Sequence, residues 1–573
     1  MYKKIFILLL VCSCQNKFER KHFFQQPVDR ARSEATHGTK WVISTQGQAA
    51  TQAAHQVLLD GGNIIDAAVA ASFTISVERP HSTGLGGGGF LIYREAKTKK
   101  ITVFDFRERA PRRAHARMYL NNKDEVIEDL SVTGHLSVAV PGLVKGLEHI
   151  HQRLGKKPWK DLFSHAIKLA DEGLVVYPAL AEASNDKKAE LAKFTESKKI
   201  FLKENGEAYQ LGEKLFQKDL ARTLARIAQN KSAEFYQGET AKAIIQTLNE
   251  QKVWMDAQDL KNYQVKERQP LLSTYKGYEI ISMPPPSSGG THVIEMLNML
   301  EQTPLSKWGP NSPESIHAVA TAMQLAFLDR ARYMGDPDFT KIPLQKLTSK
   351  AYAQDLFKKY FKRQTWKADE LSKDIPVLPE STDTTHLSIM DAEGNVVVST
   401  QTINGWFGSS VVAQGTGIVL NNEMDDFSAK PGSANIFGAI GSVANQIVPG
   451  KTPLSSMTPT IVLKDGQPIL AVGAPGGTQI ITCVLQTIIN TLDFNLPLYK
   501  AITLGRIHHQ WKPDELRLEG ELFSETLKKE LVAKGYKLQE KISACDVMAV
   551  ARLKNGEFVG VSEPRDHGQA LVK

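Results

Sequence analysis

A chain of 573 residues with 42% apolar side chains has far more than one small core to bury, and its bulk composition excludes disorder. The net charge of +8 comes from Lys and Arg spread along the whole length, without the dense basic run that tracks a phosphate backbone, so nucleic acid is not an expected partner. No repeat at solenoid or propeller spacing occurs, which excludes a modular array.

Lys3 and Lys4 precede an apolar run from Ile5 to Val11 that ends at Cys12-Ser13-Cys14. The run is too short for a membrane-spanning helix and reads as an export signal. Val11 and Ser13 just before Cys14 resemble a bacterial lipoprotein signal, in which the cysteine is lipidated and becomes the first mature residue. Cys14 is the expected site rather than Cys12, and an ordinary cleaved signal is the alternative. Residues 1–14 are thus a signal and 15–40 a polar tether. The expected location is outside the cytoplasm, in a bacterial periplasm, with a membrane touched only through such an anchor. Beyond the signal only Cys483 and Cys545 remain, so at most one bridge can form. No Cys/His cluster has zinc spacing, and neither a metal nor a cofactor is expected.

Residues 42–71 run from a strand pattern into an apolar helix pattern through Ile65, Ala68 and Val69, and lead to Gly84-Leu-Gly-Gly-Gly-Gly-Phe90. A dinucleotide loop needs a preceding strand, a following helix and a distant acidic residue, and this glycine run lacks them. Residues 90–94 and 101–106 then read as paired strands, with Arg107 just past the second. Residues 159–260 are mostly helical, with Leu220, Leu224 and Ile227 at helical spacing, and a second helical stretch over 315–333 follows the loop Met283-Pro-Pro-Pro-Ser-Ser-Gly-Gly290. This half reads as scaffold.

After Glu380-Ser-Thr-Asp-Thr-Thr-His386 the pattern becomes strand, turn, strand: residues 387–391, then Ala-Glu-Gly-Asn395, then 396–402. Counting outward from a centre near Glu393 puts Thr402 opposite Thr384 or Thr385, so two threonine hydroxyls meet at the open end of the hairpin. Further on, Gly476-Gly477 lie where a strand over 469–473 turns into an apolar helix beginning at Thr478. Backbone N–H groups at such a junction point outward, and glycine admits a close ligand.

Asp383-Thr-Thr-His386, Asn421-Asn-Glu-Met-Asp-Asp-Phe-Ser428, Pro453-Leu-Ser-Ser-Met457 and Gly473-Ala-Pro-Gly-Gly477 occur in the order and approximate spacing of the γ-glutamyltransferase family. The glycine run to Phe90, Asp105-Phe-Arg-Glu108 and Asp329-Arg-Ala-Arg-Tyr333 also resemble it, so the match runs from about Trp41 to Arg565. Each string alone is weak; seven in order identify the family. The resemblance implies an α+β fold, the four-layer αββα sandwich of the N-terminal nucleophile hydrolases. It also implies autocleavage between Asp383 and Thr384 into a large subunit (41–383) and a small catalytic subunit (384–573) that stay together as a heterodimer.

By the same resemblance, Thr384 is the nucleophile, Thr402 orients its hydroxyl, and the N–H groups of Gly476 and Gly477 form the oxyanion hole. The donor is a γ-glutamyl amide such as glutathione; the acceptor is water, an amino acid or a peptide. Arg107, Ser455 and Ser456 correspond to the groups that grip the donor's α-carboxylate, and Asn404, Glu423 and Asp426 to those that hold its ammonium. Residues 431–443 match a lid loop, but Phe437 stands where relatives with a working lid often carry tyrosine, so no latch to Asn404 is implied. With a terminal amine as base, His508 and His509 are expected to be structural. Two other readings remain at this stage. One is an acylase of different specificity, for glutaryl β-lactams or poly-γ-glutamate. The other is a surface lipoprotein that kept only the fold.

Overall fold

The computed structural model describes residues 30–249, 254–372, 384–430, 443–540 and 545–573. Fourteen strands build two sheets: β1 (Glu34–Gly38), β2 (Trp41–Thr45), β3 (Gly88–Arg94), β4 (Ile101–Asp105), β5 (Lys266–Arg268), β6 (Leu271–Tyr275), β7 (Tyr278–Ser282), β8 (Thr385–Asp391), β9 (Val396–Thr402), β10 (Thr460–Lys464), β11 (Gln467–Gly473), β12 (Met548–Arg552), β13 (Phe558–Ser562) and β14 (Gln569–Val572). One sheet has the order β14-β2-β8-β9-β3-β4-β5 and the other β1-β13-β12-β11-β10-β7-β6, antiparallel throughout.

Strict alternation along the first sheet explains the layering. Ile43, Leu91, Phe104, Leu387, Ile389 and Val397 face the helices α1 (Gln48–Leu59) and α2 (Ile64–Glu78), whereas Val42, Phe90, Ile92, Val103, Val396 and Val398 face the second sheet. Each such fully buried aliphatic side chain contributes about 1.5–3 kcal/mol. Two helices, α3 (Gly289–Leu300) and α5 (Gln479–Leu492), cover the far face of the second sheet, and α4 (Pro313–Tyr333) packs on α3. The result is the expected αββα sandwich.

The β8–β9 hairpin pairs Thr385 with Gln401 and Met390 with Val396, a register that continues to Thr384 opposite Thr402. The apolar stretch after β2 is two helices: α1 ends before Gly61, whose φ is 81°, and Asn63 then caps α2 with a reciprocal capping box to Asp66. Arg30–Lys40, read from sequence as the end of a tether, carries the edge strand β1, which pairs with β13 near the other end of the chain. The cleavage residue Asp383, the cysteines Cys12 and Cys14, and Phe437 of the lid segment lie outside the described residues.

Cys483, in the second turn of α5, is disulfide-bonded to Cys545, just before β12. The bridge ties that helix to the sheet it covers. Cys483→Ala should therefore lower stability by about 2–4 kcal/mol; an unchanged urea midpoint would contradict a formed bridge.

Candidate active site

β4, β9 and β11 end, and β8 begins, at one edge of the sandwich, and the loops there carry the residues singled out in the sequence. Thr384, Thr402 and Asn404 from the hairpin line one narrow cavity together with Arg107, Glu423, Asp426, Ser455, Ser456 and Gly477. Gly476, the neighbour of Gly477 in the chain, is not among the lining residues. A wider surface cleft near Gly134, Phe194 and Val412 contains none of them.

Thr384 immediately precedes β8 and is buried. Thr402 Oγ1 accepts the Asn404 N–H at 2.8 Å, which leaves the Thr402 proton to donate to another group. Asn404 has a left-handed φ of 75°, tolerated by asparagine, and its amide donates to the Asn422 carbonyl at 3.0 Å. That turn directs the chain after β9 into the cavity wall. The glycine run packs underneath: a Cβ on Gly87 would collide with the Thr402 carbonyl, so the run serves close packing against β9 and no phosphate.

Gly476 and Gly477 have φ of 126° and 54°, values that side chains with a Cβ rarely adopt. They form the turn from β11 into α5, as the sequence pattern predicts. His386, behind Thr384, is held between the Thr400 and Ser388 hydroxyls at 2.8 and 3.0 Å. Burial pushes its pKa down to about 3, so it stays neutral and structural. Burial likewise lowers His508 to about 4 and His509 to about 3, and neither lines the cavity.

Charge divides the cavity in two. At one end Arg107 donates to Glu423 Oε1 and, at 2.5 Å, to Asp426 Oδ2, and Glu108 lies 3.7 Å from its guanidinium. Asp105 accepts the Arg107 N–H at 3.1 Å and the Arg268 side chain at 2.7 Å, fixing the turn that aims Arg107 inward. Burial opposes the Arg107 charge, yet Glu423, Asp426 and Glu108 together hold it above the usual arginine range. Burial raises the carboxyls of Glu423 and Asp426 and pushes Glu108 up to about 7, against the lowering pull of Arg107 on all three and of Arg330 on Asp426. This end is rich in acceptors: Glu423 Oε2 and both Glu108 oxygens are buried with no hydrogen-bond partner among the described residues.

At the other end the 455–456 serines rest on the proline-rich loop. Ser455 N–H donates to the Pro286 carbonyl at 2.9 Å, and the Ser288 N–H and hydroxyl each donate to the Ser455 carbonyl at 2.8 Å. Sequence reading gave that loop no role. It also gave none to Arg330, which lines the cavity and donates to Ser456 Oγ at 3.2 Å and Ser288 Oγ at 3.0 Å. The signal was the Asp329-Arg-Ala-Arg-Tyr333 string, but Arg330 reads equally as a basic residue in the last turn of a helix.

The sequence model of one family, Gamma-glutamyltranspeptidase, matches residues 50–573. The glutathione hydrolase proenzyme of Escherichia coli is 41% identical over 525 residues, covering 91% of this chain and 90% of its own. Among solved structures, a cephalosporin acylase from Bacillus halodurans superposes with a TM-score of 0.81 at 25% identity, covering 95% of this chain and 97% of its own. Helicobacter pylori γ-glutamyltranspeptidase gives a TM-score of 0.55 at 39% identity, over 56% of this chain and 91% of the solved one. With a family match over nearly its whole length, a relative this similar end to end, and a threonine at the head of a central strand in a two-signed cavity, the chain belongs to the γ-glutamyltranspeptidase family of enzymes.

Proposed function

We propose that this chain is a glutathione hydrolase and γ-glutamyltransferase that activates itself by cleavage between Asp383 and Thr384. The observation that carries the reading is the common cavity of Thr384, Thr402, Arg107, Asn404, Glu423, Asp426, Ser455, Ser456 and Gly477. In the precursor, Thr384 Oγ attacks the Asp383 carbonyl carbon, the Asp383–Thr384 C–N bond breaks, and the acyl group moves to oxygen. Water then hydrolyses that ester, giving a carboxylate on Asp383 and a free α-amine on Thr384. A threonine hydroxyl is a poor nucleophile, and an α-amine with a reference pKa near 8 is a base suited to neutral pH.

In the mature enzyme that amine takes the Thr384 hydroxyl proton as Oγ attacks the donor's γ-amide. The developing oxyanion meets the N–H groups of Gly476 and Gly477, each worth roughly a factor of 100 to 1,000. The proton passes to the leaving amine, a γ-glutamyl ester remains on Thr384, and water or an acceptor amine takes the acyl group in a ping-pong cycle. The acid-rich end around Glu423, Asp426 and Asn404 suits the donor's ammonium. Arg107 and the Ser455–Ser456 pair suit its carboxylate, a zwitterion replacing part of the Arg107 pairing with its own two charges.

Interleaved ladders support a lasting heterodimer. Strands from opposite sides of the cleavage point pair in β1/β13, β7/β10, β14/β2, β2/β8 and β9/β3, so cleavage leaves two chains hydrogen-bonded within both sheets. A bridge between Cys483 and Cys545 favours an oxidising compartment, in keeping with export and with lipidation at Cys14. Among the described residues no helix is long and apolar enough to cross a membrane.

The likeness to a cephalosporin acylase gives a second reading, in which a glutaryl group is the acyl donor. A glutaryl group has no ammonium for Glu423 and Asp426. The purified enzyme should therefore release p-nitroaniline from the γ-glutamyl anilide at least ~100-fold faster, in kcat/KM, than from the glutaryl anilide, the value of one buried ammonium pairing. Glycylglycine should accelerate the release. A preference for the glutaryl donor would establish the acylase instead.

A further inference from the structure

The two ends of the cavity belong to different stretches of the chain, and one side chain outside the cavity joins them. Asn445 is 4% exposed and is not among the residues that line the cavity. Its Nδ2 donates to the Asp426 carbonyl at 2.7 Å, and its Oδ1 accepts the Leu454 N–H at 3.0 Å. Both partners are main-chain groups of fixed polarity, so they dictate which way the amide points. The Asn445 carbonyl also accepts the Ser428 N–H at 3.0 Å, which secures the chain on both sides of Phe427. Asp426 belongs to the acid-rich end. Leu454 directly precedes Ser455, and the Pro453 carbonyl before it accepts Arg107 Nε at 3.3 Å.

Asn445 is in turn held from behind. Lys451 is 2% exposed, and its ammonium donates to the carbonyls of Ala444 at 2.7 Å and Gln446 at 2.9 Å, one on each side of Asn445. Burial opposes that charge, and Asp336, which accepts the Thr452 N–H at 2.8 Å, favours it. These hydrogen bonds fix one short turn against both the segment that carries Asp426 and the segment that carries Ser455. An α-amino acid has its ammonium and carboxylate on one carbon, so the groups that hold them must keep one separation. A ligand with only one of those charges can settle at its own end. Spacing maintained by rigid supporting bonds therefore adds affinity only for a ligand that engages both ends at once.

We propose that Asn445, braced by Lys451, is the positioning residue that sets the distance between the acid end and the serine end of the cavity, and so tunes selectivity for donors that are zwitterionic at the α-carbon. Asn445 touches no ligand on this reading, which rests on the γ-glutamyl function above; it acts through the main chain of Asp426 and Leu454.

The test uses wild type, Asn445→Ala, Asn445→Asp and Lys451→Met, each purified after processing into two fragments. Three competitors of γ-glutamyl p-nitroanilide are compared: glutamate, glutarate, which lacks the ammonium, and 4-aminobutanoate, which lacks the α-carboxylate. In Asn445→Ala glutamate should bind about 5- to 30-fold more weakly, the range for one buried hydrogen bond left unmade, while the other two change less than about 3-fold. The kcat for the anilide should fall less than about 3-fold. Asn445→Asp, which still accepts from Leu454 but no longer donates to Asp426, should show the same pattern, and Lys451→Met a weaker one. Glutamate affinity within twofold of wild type in Asn445→Ala, or a loss for either other competitor as large as that for glutamate, overturns the proposal. If Asn445→Ala does not fold, unchanged glutamate affinity in both Asn445→Asp and Lys451→Met overturns it. A wild-type enzyme without γ-glutamyl anilide activity would refute the parent reading instead.

Discussion

Thr384→Ala is expected to remain a single uncut chain and to release no p-nitroaniline from a γ-glutamyl anilide, a loss of roughly 10⁴-fold or more. The effect is this large because one side chain carries two steps. Without its hydroxyl the Asp383 carbonyl is not attacked, so no new amino terminus forms, and the base needed for the second reaction never exists. Thr384→Ser keeps the oxygen in place and should still be cut. The remaining polar groups cannot substitute. His386, the nearest imidazole in sequence, has both ring nitrogens engaged by the Thr400 and Ser388 hydroxyls and is held neutral by burial. A Thr384→Ala chain that still appeared as two fragments on a denaturing gel would remove Thr384 from self-processing.

Arg107→Ala is expected to cost stability and donor binding together, through separable causes. Removing the guanidinium leaves Glu423, Asp426 and Glu108 buried around an empty position, and breaking one side of such a pairing costs about 3–5 kcal/mol. The donor meanwhile loses a charged partner for its carboxylate, which should raise KM by about 100-fold. Adding Glu423→Gln in the same chain removes part of the orphaned charge. The double variant should regain thermal stability and processing over Arg107→Ala, but not donor affinity. If KM recovered in step with stability, Arg107 would be a folding residue only.

The elements that position the nucleophile were legible because their signals are local. Gly394 and Asn395 mark a turn between runs rich in Val, Ile and Thr, which fixes the antiparallel pairing to within one residue; of the two registers left open, the observed one pairs Thr385 with Gln401. The Gly476-Gly477 junction was legible for the same reason: a strand pattern, two glycines and a helix pattern follow within a few residues. Contacts between distant segments were not. Arg107 meets Glu423 and Asp426 across 316 and 319 positions, and nothing in the string announces that this arginine sits against those two acids. Strand β1 escaped for a related reason. Glu34-Ala-Thr-His-Gly38 is too short and polar to read as a strand, and it exists because β13 offers it an edge. Arg330 was hidden by ambiguity, since a basic residue in the last helical turn is what the helix dipole favours anyway.

Both chemical steps depend on a single peptide break that frees the nitrogen of the residue whose oxygen reacts. The most direct measurement is amino-terminal sequencing, or intact mass, of the lighter polypeptide in enzyme that is actively hydrolysing a γ-glutamyl anilide. The expected terminus is Thr-Thr-His-Leu, beginning at Thr384, with the heavier polypeptide copurifying until denaturant is added. A light chain beginning at any other residue, or full activity from an uncut chain, would contradict the mechanism.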